Sequence, residues 1–269
     1  MKMKLITQAI NYVKCLAPLA AVMLSGCEGI FNGVYDEPET GTRTTKAGHL
    51  YIDASAWDEW HYIDLKAVAE GVSADTDFNT SSLWQTIEIP TVGVWEESVE
   101  SDNEKAGIYT YRYDVFGEGI SKQEYIGFTP TESQPEPDEW TFAVHRNNAR
   151  TNGCRVAETD FTSLSQIPAD SDWVSTLVFT PDEWNQTEVW TVQDKMLNGI
   201  IGNQGIYTNK VLSGWLKMVI PPMPPVFDIN RHVFILKLPD GTFAALQLED
   251  YMNSSGTKCC LSIDYKYPL

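Results

Sequence analysis

The sequence predicts an all-β fold in which most strands are antiparallel and the helices are few and short. The first observation is alternation with a period of two, clearest at residues 107–115, where three tyrosines and a valine share one face. The second is the Pro239-Asp240-Gly241 turn, which separates two alternating runs and predicts a hairpin. The third is the scarcity of amphipathic helical patterns.

Further short runs rich in aromatic and β-branched residues complete the predicted strands. They fall at residues 50–52, 60–65, 83–89, 124–128, 140–146, 173–179, 188–192, 233–238, 243–248 and 261–267. Residues 129–139 contain three prolines and four acidic side chains, so an exposed connector is predicted there. The length of the chain is compatible with one β domain that buries a substantial core.

The stretch from Lys195 to Arg231 interrupts this pattern. Glycines break the alternation, and the run Pro221-Pro222-Met223-Pro224-Pro225 excludes both a helix and a central strand. A long irregular insertion in a compact domain is usually functional or disordered. Because this one is rich in apolar residues, the sequence favours a functional insertion.

The N-terminus has the features of a lipoprotein signal peptide. Three lysines precede an apolar run from Cys15 to Leu24, which is too short to span a bilayer stably. The run ends in Leu24-Ser25-Gly26-Cys27, the bacterial lipoprotein cleavage pattern in which the cysteine becomes the first residue and carries the lipid. We therefore predict a signal peptide at residues 1–26, lipid on Cys27, an acidic flexible tether at residues 27–48 and a single β domain at residues 49–269.

The charge of the chain excludes one class of partner. Removal of the signal peptide leaves 16 basic and 37 acidic side chains, a formal charge of −21. Nucleic acid is a poor partner for so acidic a protein. The acidity also indicates that lipid, and no basic patch, holds the protein at a membrane.

Two segments of the chain carry a resemblance to a known family. The first is Trp140-Thr-Phe-Ala-Val-His-Arg-Asn-Asn-Ala-Arg-Thr-Asn-Gly153, and the second is Leu236-Lys-Leu-Pro-Asp-Gly-Thr-Phe-Ala-Ala-Leu-Gln-Leu-Glu-Asp-Tyr251. With the C-terminal Tyr265-Lys-Tyr-Pro268, they resemble the HmuY-type haem-binding lipoproteins of Bacteroidota. The resemblance covers roughly the second half of the chain.

This resemblance implies a mostly antiparallel fold likened to a right hand, which grips one haem b between thumb and fingers with two axial ligands. In the founding type both ligands are histidines of the irregular region ahead of the final strands. Here none of the histidines lies there: the sequence places His49 at the tether, His61 and His145 in strands, and His232 at the start of a strand. Bis-histidine coordination is therefore not expected.

Some relatives of the family use methionine, and the irregular stretch holds three. Met196 precedes the glycine-rich turns and Met223 lies between prolines that fix its backbone, so these two are the predicted axial ligands of the haem iron. Met218 is the reserve candidate, because its alternation with Leu216 and Ile220 is equally typical of packing within a sheet. The alternative for all three is that methionine simply fills gaps in an apolar core.

Other residues have a predicted role in the haem pocket or in the structure. The predicted haem-pocket residues are Ile200, Ile201, Tyr207 and Trp215, each with ordinary core packing as the alternative. His145 is interpreted as a hydrogen-bonded structural histidine. An oxidising compartment permits a disulfide between Cys154 and either Cys259 or Cys260. The acidic-aromatic sequences Asp58-Glu59-Trp60 and Asp182-Glu183-Trp184 are compatible with sugar stacking but are also common at turns.

The resulting hypothesis is a surface-exposed outer-membrane lipoprotein that captures haem, takes it from host haemoproteins, and delivers it to a TonB-dependent receptor for iron acquisition. The chain contains no nucleophile motif, phosphate loop or zinc spacing, so an enzyme is not predicted. Two alternatives remain open at this stage. One is a non-haem binding module, for instance for glycans, and the other is a cuprous copper site formed by Met218 and Met223.

Overall fold

The computed structural model describes residues 45–74, 84–97, 108–114, 119–170, 172–191, 200–220, 222 and 225–269. Its strands are β1 (His49–Asp53), β2 (Glu59–Ile63), β3 (Trp84–Glu88), β4 (Gly93–Glu97), β5 (Ile108–Asp114), β6 (Gly119–Pro130), β7 (Phe142–His145), β8 (Asn148–Thr151), β9 (Arg155–Glu158), β10 (Glu183–Asn185), β11 (Ile200–Gln204), β12 (Ile206–Thr208), β13 (Leu216–Val219), β14 (Val226–Ile229), β15 (Val233–Lys237), β16 (Phe243–Met252) and β17 (Lys258–Lys266). The helices are α1 (Leu65–Ala74), α2 (Lys210–Ser213) and two 3₁₀ turns at Leu164–Gln166 and Asp172–Thr176.

The strands form two larger sheets that enclose the main core, a third sheet, and two ribbons. One sheet has the order β1-β17-β16-β15-β9, the second the order β3-β2-β7-β8, and the third the order β11-β5-β6-β4. The ribbons pair β10 with β12 and β13 with β14, and the pairings are antiparallel throughout. The expected all-β, antiparallel fold is confirmed.

Both faces of the two sheets are covered, which explains why several strands are apolar without interruption. In β7, Phe142 and Val144 point into the main core while Ala143 joins a second cluster with Trp60 and Tyr62. The far face of β15 and β16 is covered by a third cluster, to which the two 3₁₀ turns contribute. A strand that alternates between two cores therefore loses the polar-apolar alternation that would identify it.

The predicted hairpin around Pro239 is confirmed. β15 and β16 pair in the expected antiparallel register, and Leu238 N donates to Thr242 O at 2.9 Å to close the turn. Gly241 adopts a φ of +88°, a left-handed conformation that glycine takes without a steric penalty. The Asp240 carboxylate accepts hydrogen bonds from Thr242 N at 2.9 Å and Thr242 Oγ1 at 2.6 Å, which fixes the turn further.

Three predictions of secondary structure are wrong. Residues 173–179 form no strand, because their first half is the 3₁₀ turn Asp172–Thr176, in which the Ser175 and Thr176 hydroxyls donate to nearby carbonyls. Residues 188–191 contribute only an isolated bridge between Trp190 and Asn203. Helix α1 was missed because its buried residues are few. Leu65 and Val68, three positions apart, pack into the main core, and Asp64 Oδ1 accepts from Lys66 N at the start of the helix.

The stretch 195–231 is more regular than predicted. Its described parts contain β11, β12, α2, β13 and β14, and Asn209 caps α2 by accepting from Leu212 N at 3.0 Å. Two glycines that suggested irregularity have different positions. Gly202 lies within β11, opposite Thr110 of β5, whereas Gly205 separates β11 from β12. β11 and β12 are formed by pairing with β5 and β10, which lie outside this stretch, whereas β13 and β14 pair with each other.

Neither a disulfide nor a membrane span is found in the described part of the chain. Cys154, Cys259 and Cys260 are free and buried, so the bridge that the sequence left open is absent among them. Burial raises the pKa of the Cys154 thiol to about 12 and those of Cys259 and Cys260 to about 11, which keeps them unreactive. Among the described residues, no helix has the length and apolar character needed to cross a bilayer.

Candidate functional site

All four histidines of the chain lie in the described residues, and each contacts other protein groups. His49 Nδ1 lies 2.5 Å from Asp264 Oδ1 across the β1-β17 pair. His232 Nδ1 lies 2.8 Å from Glu158 Oε1, and its side chain is 39% exposed. His49 is buried, so only His232 offers substantial imidazole surface to solvent among these two.

His61 and His145 form a buried pair on adjacent strands. His145 is completely buried, with Nδ1 2.8 Å from the Glu59 carbonyl oxygen and Nε2 2.9 Å from that of Trp190. Burial lowers the pKa of His145, although both carbonyls act in the opposite direction. Burial, and then the nearby His145, lower the pKa of His61 to about 4. The structural role predicted for His145 is consistent with these two contacts, of which the neutral ring can donate one as a hydrogen bond.

Of the three methionines considered as axial ligands, only the reserve candidate Met218 lies in the described residues. Met196 and Met223 lie outside them, as does Cys27. Met218 lies in β13 opposite Phe227 of β14, and its partly buried side chain packs against the main core. This is the packing position that the alternation with Leu216 suggested.

The four predicted pocket residues lie in different surroundings. Ile200 and Ile201 lie in β11, where they pair with Arg112 and Tyr111 of β5. Trp215 is completely buried in the main core, with its ring centroid 6.5 Å from that of Phe142. Tyr207 is 54% exposed on β12. Trp215 and Tyr207 therefore lie in different surroundings, one in the core and one at the surface, and the haem-pocket role of the four residues stays a prediction.

Tyr207 lines a surface pocket of about 590 Å³ that the sequence analysis did not predict. Its other lining residues include Ser133, Gln134, Glu136, Arg150 and Trp184. Trp184 and Tyr207 face each other across the β10-β12 ribbon, with ring centroids 5.4 Å apart and planes at 73°. The volume is in the range of small-molecule sites, which span roughly 300–1,000 Å³.

Arg150, at the base of this pocket, is held by several groups at once. Its Nη2 donates to Glu136 Oε1 at 2.6 Å and its Nη1 to the Tyr62 hydroxyl at 3.2 Å. The guanidinium carbon also lies 5.1 Å from the Trp140 ring and 5.7 Å from the Trp60 ring. Burial raises the pKa of Tyr62 to about 12, so its hydroxyl stays protonated and neutral.

A second set of hydrogen bonds fixes the pocket wall. Trp60 Nε1 donates to Gln204 Oε1 at 2.9 Å, and Gln204 Nε2 donates to Gln134 Oε1 at 2.9 Å. Asp182 accepts from Thr151 N at 2.7 Å, Thr151 Oγ1 at 2.8 Å and Asn209 Nδ2 at 3.0 Å. Burial raises the pKa of Asp182 against these hydrogen bonds, which lower it. Asp182 is thus a structural brace between β8 and α2.

Within the described ranges, no group of three or more histidine, cysteine, aspartate or glutamate side chains is placed to hold a metal ion. The fold and the pocket define an antiparallel β-sheet protein with a preformed, aromatic-lined pocket on its surface. Residues 56–265 match the model of the HmuY protein family, and the chain belongs to that family. The family expected from the sequence is confirmed.

Solved structures with the same fold agree with this assignment. A protein of Bacteroides vulgatus described as HmuY-like and heme binding is 26% identical, with a TM-score of 0.55 over 86% of this chain and 99% of that one. Apo PinO of Porphyromonas gingivitis is 20% identical, with a TM-score of 0.59 over 82% and 96% of the two chains. The apo HmuY analog TFO of Tannerella forsythia is 19% identical, with a TM-score of 0.54 over 86% and 100%. No curated protein matches the chain.

Proposed function

We propose that this protein is a haemophore: it binds haem b, takes it from host haemoproteins and passes it to a TonB-dependent outer-membrane receptor. Membership of the HmuY family supports haem as the ligand, as does the similarity to a Bacteroides vulgatus protein described as heme binding. The role is capture and delivery, with no catalytic step.

The observation that carries the choice of ligand is that three of the four histidines are buried in the fold and that the fourth, His232, lies 2.8 Å from Glu158 Oε1. His49, His61 and His145 are at most 6% exposed and contact a carboxylate, a threonine hydroxyl and two carbonyls respectively. A haem iron would have to enter the core to reach them. We therefore propose Met196 and Met223 as the axial pair, with Met218 in reserve.

A thioether ligand has a predictable electronic effect. It is a soft, neutral donor, it prefers ferrous to ferric iron, and it raises the reduction potential relative to a stronger donor. Haem held by Met196 and Met223 is therefore expected to bind more tightly after reduction. A bis-histidine site would have the opposite preference.

The ligand assignment is tested by titrating the protein with ferric haem and with dithionite-reduced haem. Wild type should bind reduced haem more tightly, with sharp Soret and α bands. Met196→Ala and Met223→Ala should each weaken binding of reduced haem by about tenfold or more, equivalent to about 1.4 kcal/mol. Met218→Leu is the matched control, because leucine preserves its packing, and it should retain wild-type spectra.

Three outcomes would contradict the assignment. Equal or tighter binding of ferric haem, unchanged in both alanine variants, would rule out methionine coordination. Loss of the bands in His232→Ala with no change in the methionine variants would identify the exposed histidine as the ligand. Loss of the bands in Met218→Leu would identify Met218 as an axial ligand.

Membrane attachment is proposed to depend on lipid at Cys27. The support is the Leu24-Ser25-Gly26-Cys27 sequence after a short apolar run. In cells grown with radiolabelled palmitate, wild-type protein should carry label and fractionate with outer membranes. Cys27→Ser should lose both, whereas Cys15→Ser, inside the predicted signal peptide, should retain them. Membrane-bound, labelled Cys27→Ser protein would refute the proposal.

A further inference from the structure

The pocket beside Tyr207 has features of a binding site that the proposed haem chemistry does not use. None of its lining residues is a histidine, methionine or cysteine, so it offers haem iron neither a nitrogen nor a sulfur ligand. It is formed by the connector after β6, by β8, and by the β10-β12 ribbon. The lining therefore suits a ligand whose chemistry differs from that of haem iron.

The apolar part of the pocket is an aromatic pair in which Tyr207 is exposed and Trp184 is half-buried. Among residues whose side chains the structure describes, Tyr207 is the only aromatic residue that is more exposed than buried. It lies against Trp184, with Ile206 buried beneath. Exposed aromatic rings beside a concave surface mark binding sites, because they supply apolar area with little conformational freedom to lose.

The polar part of the pocket offers hydrogen-bonding groups without net charge. Glu136 Oε1 is occupied by Arg150, while its Oε2 has no partner among the described residues and the carboxylate is 38% exposed. The Ser133 hydroxyl is exposed nearby. Because Glu136 neutralises Arg150, the pocket has no free cation for a phosphate or carboxylate. A strongly acidic protein also repels such anions.

The walls of the pocket are held in place before any ligand arrives. Arg150 is clamped by Glu136 and the Tyr62 hydroxyl, and Gln134 by a chain of side-chain hydrogen bonds to Gln204. Arg150 Nε and Trp184 Nε1 are buried with no acceptor among the described residues. Unsatisfied buried donors are costly, so a ligand or water that accepts from them would be stabilised.

We propose that the pocket lined by Tyr207, Trp184, Glu136 and Ser133 binds a neutral sugar unit of a glycan. The apolar C–H face of the sugar packs on the aromatic pair, and neighbouring hydroxyls donate to Glu136 Oε2 and exchange hydrogen bonds with Ser133. Tyr207 then serves the sugar and not the haem. The Asp182-Glu183-Trp184 sequence contributes the tryptophan as the stacking residue and Asp182 only as the brace.

The test is a screen of the full-length protein on an array of neutral and acidic glycans, followed by calorimetric titration with the best neutral oligosaccharide. Wild type should bind neutral glycans saturably, with affinity in the micromolar to millimolar range. Tyr207→Ala should weaken binding by about tenfold or more, whereas Tyr207→Phe, which keeps the ring, should remain within about threefold. Val178→Ala, which alters an exposed residue outside the pocket lining, should change nothing.

Glu136→Gln provides a second, independent readout. It uncovers the charge of Arg150, so affinity should shift from neutral towards acidic sugars. No saturable binding to any neutral glycan would overturn the proposal, as would tighter binding of acidic glycans by wild type. Haem titrations should be unchanged in Tyr207→Ala. Competition between haem and sugar, with loss of both in that variant, would instead assign the pocket to haem.

Discussion

Replacing Trp215 with alanine is expected to lower the free energy of unfolding by about 3–5 kcal/mol, the usual cost of emptying a tryptophan-sized site in a core. Trp215 is completely buried, follows α2 and packs edge-on against Phe142. The Trp215 side chain therefore packs the start of β13 against the β3-β2-β7-β8 sheet. Urea denaturation followed by circular dichroism measures the change.

Trp215→Phe is the matched variant. The indole Nε1 has no hydrogen-bond partner among the described residues, so phenylalanine loses apolar contacts but no hydrogen bond. Trp215→Phe should lower the free energy of unfolding clearly less than Trp215→Ala does, and it should leave haem titrations unchanged. If Trp215→Ala instead left stability within about 1 kcal/mol of wild type and weakened haem binding, the residue would belong to a haem pocket and not to the core.

Acidification from pH 7 towards pH 4 is expected to destabilise the fold, by up to about 3 kcal/mol through His61 alone. The pKa of His61 is about 4 in the folded protein against 6.5 for an unperturbed histidine. The unfolded chain thus takes up its proton first as the pH falls. Stability from the neutral ring is present above pH 6.5 and is lost progressively down to about pH 4. His145, whose pKa burial also lowers, acts in the same direction.

The measurement is the free energy of unfolding at intervals between pH 7 and pH 5. His61→Gln should flatten this profile, because glutamine can still hydrogen-bond Thr86 but cannot bind a proton. Glu59 acts in the opposite direction, because burial raises its pKa and its protonation therefore favours the folded state. An unchanged slope in His61→Gln would show that His61 is not the group responsible.

Sequence signals predicted a strand well where the residues that determine it are neighbours in the chain. The turn at Pro239-Asp240-Gly241 identified the β15-β16 hairpin because the residues that form it are adjacent in the chain. β8, β9 and β10 were missed because each has only three or four residues, and β9 and β10 also pair with strands that are not their neighbours in sequence. β9, for example, is buried against β15, which lies about 80 residues further on.

The pocket could not have been predicted from the sequence for a similar reason. Glu136 and Arg150 are on different elements, and the chain that holds Gln134 runs through Gln204 to Trp60. No spacing or motif connects residues so far apart. The Asp182-Glu183-Trp184 sequence was compatible with sugar stacking; in the structure Trp184 lines the pocket and Asp182 accepts hydrogen bonds from Thr151.

The position of β17 determines when the five-stranded sheet can be completed during synthesis. β17 lies between β1 and β16, so among the described strands β1 gains its partner only when residues 258–266 have been synthesised. Such long-range closure is slow compared with local pairing. A chain threaded through a membrane from its N-terminus would therefore remain open, and translocatable, until nearly all of it has crossed.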